Sequence, residues 1–288
     1  VTEGCNLLVS RPKLGKSWFA LQLGIATATG GKFLDRDIEA GDVLYLALED
    51  NPRRLKKRLA RLVGDNPPPE RLTIDTRWPR MDEGGKEQIQ RWIDEADDPK
   101  LVIVDTLAKV KKRAKKGGDR YADDYLDLGE FKELADDNEV PILLIHHDRK
   151  AQGNDILDDV SGTIGITGAM DTILLLKRER GQHDACLHIT GRDIDESELA
   201  MGWDASACRW SLLGSADYHR LSEQRKKILK ALEVGQKTIK EVAEATGMEE
   251  GNTKQLLHQM RKAGQVNSND GVYEAVRRPF APNPSGSL

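Results

Sequence analysis

The stretch Ser10-Arg11-Pro12-Lys13-Leu14-Gly15-Lys16-Ser17 lies between an apolar run, Cys5 to Val9, and an amphipathic one, Trp18 to Ala28. A chain that leaves a strand through a tight loop and restarts as a helix aims several backbone N–H groups at one spot. The helix N-terminus adds about half a positive charge there. That is the chemistry of an anion cradle. With an amine at Lys16 and a hydroxyl at Ser17 the expected anion is a nucleoside triphosphate: the lysine reaches the β- and γ-phosphates and the hydroxyl holds Mg2+. The pattern departs from its usual form at its first position, where Ser10 stands in place of glycine and narrows the backbone freedom.

A triphosphate site also needs a second carboxylate beside the metal and a group that activates water. Leu101-Val102-Ile103-Val104-Asp105-Thr106 is an apolar strand ending in an acid, which suits a metal-side Asp105. Leu44-Tyr45-Leu46-Ala47-Leu48-Glu49-Asp50 ends a second apolar run in two carboxylates. Glu49 is the candidate general base for the attacking water. Asp50 reads as the N-cap of a helix beginning at Pro52. Ile142 to Ile145 is followed by His146 and His147, an imidazole pair placed to sense a γ-phosphate at the crevice where strands end together. His183, Cys186 and His188 are also close in sequence, but two alternating strand positions and a loop residue make a poor metal set.

The elements that must position these groups follow from periodicity. Strands are predicted over 6–10, 43–48, 72–75, 101–105 and 141–146, with helices over 16–28, 52–63, 86–96 and 123–138 between them. Strand–helix alternation with near-continuous apolar strands implies α/β architecture and a parallel sheet covered on both faces. Four further strands, over 171–178, 185–190, 199–204 and 208–212, have no helices between them and are expected to extend the same sheet antiparallel. After Gly214 the pattern turns helical, over 222–233, 238–245 and 252–263. Thr238 with Glu241 fits a capping box, and Gly247 and Gly264 stop two helices. A hairpin over 265–276 turns at Asn269-Asp270-Gly271. Three helices and a hairpin make a winged helix-turn-helix. The expected domains are thus 1–214, 215–278 and a disordered tail over 279–288.

The set Pro-Lys-Leu-Gly-Lys-Ser, Leu-Glu-Asp, Val-Asp-Thr, His-His-Asp-Arg-Lys, Ser161-Gly162-Thr163 and Gly191-Arg192-Asp193 resembles the RecA-like, AAA-type ATPases of plasmid and phage RepA hexameric replicative helicases. The resemblance covers about three quarters of the chain. It implies a RecA-like P-loop NTPase fold and a homo-oligomeric ring, usually of six subunits, with ATP and Mg2+ bound between neighbours. Carried over, the P-loop Ser10 to Ser17 binds the nucleotide with Asp105, and Ser17 and Asp105 hold the metal. Glu49 and His147 serve the chemistry, with His146 the second choice. An arginine from the late strands would complete a neighbour's site. Arg192 is the first choice, Arg178 and Arg180 the fallbacks. The same resemblance puts channel loops after the strand of Asp105, where Lys109–Lys116 carries six basic residues, and at Arg149-Lys150. Single-stranded DNA held by its phosphates is the implied partner; Tyr121 and Tyr125 are the nearby stacking candidates.

On the third helix of the second domain, Asn252, Thr253, Lys254, Gln255, His258 and Arg261 fall off the apolar stripe and are candidates for duplex DNA in the major groove. Glu249 and Glu250 at its start oppose phosphate, so docking to protein stands equally open. The net charge of −4 argues against a wholly basic nucleic-acid coat. No apolar run approaches a membrane span, and three scattered cysteines imply reduced thiols, so no membrane partner and a cytoplasmic setting are expected. Because Val1 leads almost directly into the first strand, an upstream segment is expected. The reading is an ATP-hydrolysing helicase or translocase on single-stranded DNA in replication of a plasmid or phage-like element. The alternative is an ATP-switched DNA-binding regulator or recombination-type ATPase that does not unwind.

Overall fold

Strand β1 (Cys5–Ser10) is buried along its whole length, as an apolar strand in the middle of a two-sided sheet must be. The computed structural model describes residues 3–112, 120–147, 169–178, 185–262, 265–269 and 271–276. Outside the described residues lie Arg113, Lys115 and Lys116 of the basic run, Arg149, Lys150, Ser161-Gly162-Thr163, Arg180, His183, Gly264, Asp270 and the 279–288 tail. The side chains of Tyr121, Tyr125 and His147 lie outside the description too.

On one side β1 pairs parallel with β7 (Ile142–His147) and on the other with β8 (Thr172–Lys177). From β7 the parallel ladder continues through β6 (Pro99–Asp105) and β4 (Asp42–Ala47) to β5 (Leu72–Asp75). From β8 it turns antiparallel through β9 (Ala185–Gly191), β10 (Ser197–Asp204) and β11 (Arg209–Ser215). The order of the nine strands is β11-β10-β9-β8-β1-β7-β6-β4-β5. This is the mainly parallel sheet with antiparallel extension that the strand–helix pattern predicts. A small ribbon, β2 (Lys32–Phe33) with β3 (Arg36–Asp37), is an addition with no sequence signal of its own.

Period-2 alternation sorts the residues of the central strands β1, β4, β6, β7 and β8 between two cores. Along β4, Val43, Tyr45 and Ala47 join a cluster with Phe19, Leu21 and Leu23 of α1 (Lys16–Thr29) and Leu55 and Leu62 of α2 (Pro52–Val63). Leu44 and Leu46 join the opposite cluster, with Ile89 and Ile93 of α3 (Gly85–Glu95) and Leu128, Phe131 and Leu134 in the long helix 120–138. A short helical turn, α4 (Leu107–Val110), precedes that long helix, α5 (Arg120–Asn138). Helix α2 starts differently from expectation: its N-cap is Asn51, whose Oδ1 accepts from the Arg54 amide at 2.9 Å. Asp50 instead binds the guanidinium groups of Arg54 and Arg58. Two arginines one and two turns into the helix compete for its carboxylate more strongly than a single backbone donor.

At the start of β8, Asp171 ties three elements together. It accepts from the Cys5 amide at 2.9 Å and from Lys132 Nζ at 2.8 and 2.9 Å. A Cβ at Gly4 (φ 84°) would collide with this carboxylate, and one at Gly191 with the Asp171 carbonyl. Burial alone would raise the Asp171 carboxyl, but Lys132, the Cys5 amide and the charge of Arg192 hold it below its ordinary value.

The chain divides into compact units Val1–Ala216 and Asp217–Leu288. The second unit contains most of α6 (Ala216–Glu233), then α7 (Ile239–Thr246), α8 (Glu250–Lys262) and a sheet of order β12-β14-β13, from β12 (Lys237–Thr238), β13 (Val266–Asn269) and β14 (Val272–Ala275). Helix α6 begins earlier than the predicted 222, since residues 216–221 hold neither Pro nor Gly to stop it. The core of this unit is Ile228, Leu232, Val242, Leu256, Leu257, Met260 and Val266. Thr238 and Glu241 form the predicted capping box, and Gly247 (φ 68°) ends α7. Thr253 is a correction. It is 0% exposed, its hydroxyl donating to the Glu249 carbonyl at 2.9 Å, so it packs inside α8 and presents nothing to a groove.

Because the folded state holds Asp171 below its ordinary pKa, its contribution is full above about pH 4 and fades as pH falls through the lowered value. Asp171→Asn is expected to cost about 1–3 kcal/mol at pH 7. In urea titrations the gap from the parent chain should close as the pH is taken below about 4.

Candidate functional site

Strand β1 delivers Ser10 to the sheet edge fully buried, and the loop that follows bends back before α1 starts at Lys16. Its left-handed positions are Lys13 (φ 67°) and Gly15 (φ 99°), not Ser10. The loop therefore makes no demand on Ser10 that only glycine could meet. The Ser10 hydroxyl donates to the Arg11 carbonyl at 3.1 Å and accepts from Lys16 Nζ at 3.1 Å. Lys16, only 4% exposed, also donates to the Ser10 carbonyl at 2.5 Å and the Arg11 carbonyl at 3.2 Å. Arg11, Pro12 and Lys13 are exposed, whereas Leu14, Gly15 and Ser17 are half-buried. No side chain caps the first turn of α1 through Gly15, and no acid lies in that turn. Its amide donors and partial charge thus face the loop without a built-in carboxylate to neutralise them.

A tryptophan far along the chain braces this loop. Trp210 Nε1 donates to the Gly15 carbonyl at 3.2 Å, and a Cβ at Gly15 would press on the indole at 3.2 Å. Further along α1, the Gln22 amide grips the backbone of the same residue. Gln22 Nε2 donates to the Trp210 carbonyl, and the Trp210 amide donates to Gln22 Oε1, both at 2.9 Å. Trp203 packs on Trp210 at a tilt of 53° with centroids 5.0 Å apart, Trp18 lies 6.4 Å from Trp203, and Arg58 sits 5.3 Å over Trp18. The spacing of this brace, 188 and 195 residues, leaves no trace in local sequence.

The register brings the other strand ends to the same edge. Ser10 pairs with His147, and Ile145, Asp105 and Ala47 lie in one row across β7, β6 and β4. Asp105 is buried, with Oδ2 accepting from the Tyr45 hydroxyl at 3.0 Å. Burial first, then the Asp105 charge and hydrogen bond, push the Tyr45 phenol well above its ordinary value, so it is a fixed donor that orients the carboxylate. The Asp105 carbonyl accepts from the Leu48 amide at 2.6 Å, and the Thr106 hydroxyl donates to Glu49 Oε1 at 3.1 Å. These bonds fasten the end of β4 to the end of β6, leaving Glu49 exposed. His146 is half-buried and shares parity with Ile142 and Leu144, which face α3 and α5 rather than α1.

Lys16, Ser17, Glu49, Asp105 and the backbone of His147 are therefore gathered at one edge. Arg192 is not among them. Its amide donates to the Asp171 carbonyl at 3.0 Å and its guanidinium lies 3.9 Å from the Asp171 carboxylate, beside the start of β1 and hence at the opposite edge. Arg178 follows the end of β8 and is half-buried. Of the basic run, Lys109 is exposed, while Lys112 pairs with Glu130 of α5, whose hydrogen bond holds the lysine above its ordinary value. On α8, Asn252, Lys254, Gln255, His258 and Arg261 are exposed.

Tyr45 is legible in the sequence only as one apolar position of a strand, yet Tyr45→Phe leaves a buried carboxylate oxygen without this donor. We expect it to destabilise the chain by about 1–3 kcal/mol in chemical denaturation. Trp210→Phe, which removes a neutral hydrogen bond and keeps an aromatic ring, is expected to cost about 0.5–1.5 kcal/mol.

Comparison with known proteins gives these groups a setting. The fold matches a solved structure described as the ATPase domain of another protein, with a TM-score of 0.60 at 14% identity, covering 73% of this chain and 85% of that one. It matches a DnaB-like replicative helicase, described with its interactions with primase, with a TM-score of 0.57 at 15% identity, covering 73% of this chain and 57% of that one. At such identities the likeness is one of fold. No curated protein matches the chain. Residues 222–268 match the bacterial regulatory protein, arsR family model, a helix-turn-helix. Residues 2–153, more than half of the chain and the whole span from the loop to the end of β7, match the AAA domain model, and the chain belongs to the AAA domain family.

Proposed function

We propose that this chain is an ATP-hydrolysing, ring-forming DNA helicase or translocase that acts on single-stranded DNA in replication of a plasmid or phage-like element. The observation that carries the reading is the meeting of a buried lysine loop with two carboxylate-bearing strand ends at one sheet edge. Membership of the AAA domain family supports nucleotide use. The shared fold with an ATPase domain and a replicative helicase supports the motor reading.

In this reading the loop Ser10 to Ser17 receives the phosphates, and the Lys16 ammonium exchanges its carbonyl partners for phosphate oxygens. A hard cation with oxygen ligands fits here, since Ser17 and Asp105 offer a hydroxyl and a carboxylate. Bound Mg2+ would neutralise developing charge on the phosphates. Tyr45 keeps the Asp105 carboxylate oriented, and the Thr106 hydroxyl does the same for Glu49, whose exposed carboxylate would polarise the attacking water. His147, next to Ser10 in the sheet, would sense the γ-phosphate. Arg192, at the far edge of its own sheet, would act only on a neighbour's nucleotide, so the assignment calls for an adjoining subunit, as a ring would supply. Lys109 and the basic residues after it would track single-strand phosphates.

ATP turnover measured with and without single-stranded DNA, together with solution mass with and without ATP, tests the proposal. DNA-stimulated hydrolysis in an ATP-dependent oligomer is expected. Lys16→Ala should abolish turnover, and Glu49→Gln should lower kcat by about 100-fold or more while nucleotide binding persists. Hydrolysis indifferent to DNA in a monomer would overturn it.

The arsR-type helix-turn-helix match favours a second reading, an ATP-switched regulator that binds duplex DNA through α8. Under it, Arg261→Ala and Lys254→Ala would each weaken duplex binding and lower the salt slope by about one, with no strand separation by the parent chain.

A further inference from the structure

Two strands away from β1, the sheet brings together three side chains that the proposed motor does not use. Alternation puts Cys186 and His188 on one face of β9, while Ala185 and Leu187 pack into the core on the other. In the antiparallel register, Glu198 of β10 lies directly across from His188. One ligand atom from each of Cys186, His188 and Glu198 lies within 4.8 Å of the other two. Sequence spacing alone offers His183 as the third partner. The hairpin register supplies Glu198 instead, across a turn that no spacing rule reads.

The pair His188 and Glu198 makes the chemistry specific. His188 Nδ1 and Glu198 Oε1 are 3.0 Å apart, yet among the described residues Nδ1 is closed off from solvent without a hydrogen-bond partner. A carboxylate only accepts, so an unprotonated Nδ1 sets two lone pairs against each other. Something positive belongs between them: a proton, or a metal ion. The sulfur within reach of both favours the metal, because it adds a soft donor and completes a sulfur–nitrogen–oxygen ligand set. We propose that Cys186, His188 and Glu198 bind one divalent transition-metal ion, Zn2+ by the softness of its ligands, with a water in the fourth position.

Tetrahedral bonds of about 2.0–2.3 Å set neighbouring ligand atoms about 3.3–3.7 Å apart, so closure asks for shifts of about one ångström in side chains that are not locked in the core. Nδ1 of His188 is covered, but the Glu198 side chain beside it is 43% exposed, so a turn of that carboxylate would admit the ion and a water. On binding, the Cys186 thiol releases its proton to solvent and the thiolate becomes the ligand. The site would clip β9 to β10, whose connecting turn carries Arg192. It is separate from the oxygen ligands proposed for Mg2+.

The test is a Co2+ titration of the untagged, reduced, nucleotide-free chain in excess Mg2+, followed by competition with Zn2+. One Co2+ per chain with a thiolate-to-metal charge-transfer band, displaced by Zn2+, is expected. Cys186→Ser should remove the band, and His188→Ala should weaken binding by about tenfold or more. Cys208→Ser should leave both unchanged, with far-UV circular dichroism confirming the fold of each variant. Glu198→Gln, on a half-exposed side chain, should weaken binding while keeping the band, which holds the test open if a strand variant fails to fold. Absence of the charge-transfer band in the parent chain, or binding unchanged in Cys186→Ser and His188→Ala, would overturn the site and leave His188 and Glu198 a simple ion pair.

Discussion

An ammonium group taken out of water costs several kcal/mol unless oxygen atoms surround it. Lys16 meets that requirement with the Ser10 carbonyl and hydroxyl and the Arg11 carbonyl. This arrangement holds only while β1 ends where it does and α1 restarts where it does, so the loop, the strand and the helix constrain one another. The same edge is fixed from the other side by register. Parallel strands in a single ladder finish together, and Asp105, Ala47 and Ile145 stand in one row because β4, β6 and β7 do. What the chain can do chemically follows from that common ending, which collects groups that lie far apart in the sequence.

Buttressing comes from parts that perform no chemistry. Trp210 and Gln22 lock the antiparallel extension to the helix that carries Lys16. At the opposite edge, Asp171 joins the starts of β1 and β8 to Lys132 of α5. The antiparallel strands are thus more than a sheet margin. One end of them steadies the loop, and the other carries Arg192 to the edge remote from its own loop.

Much of this is legible in residue order. Near-continuous apolar strands between amphipathic helices announce a parallel sheet covered twice. Glu49 and Asp105 stand out because each lies at or just past the end of such a strand, and the Lys16-Ser17 pair because it opens the helix after the loop that leaves one. The Thr238–Glu241 capping box is a local signal and reads as one. What stays hidden is non-local. Tyr45 looks like any core aromatic until β4 and β6 are paired, and Glu198 becomes a partner of His188 only across a hairpin. Asn51 rather than Asp50 caps α2 because Arg54 and Arg58 claim the aspartate, a contest between neighbours that propensity does not weigh. Thr253 follows the polar residues of α8 by type, yet its hydroxyl bonds back to the Glu249 carbonyl, which lets it be buried.

The central claim is that the edge formed by Lys16, Ser17, Glu49 and Asp105 receives a triphosphate. A crystal structure of the chain with Mg2+ and a non-hydrolysable ATP analogue tests it most directly. The account predicts phosphate oxygens within hydrogen-bonding distance of Lys16 Nζ and of the first amides of α1, with the metal beside Ser17 and Asp105. Nucleotide bound elsewhere, with Lys16 still held by the carbonyls of Ser10 and Arg11, would contradict it.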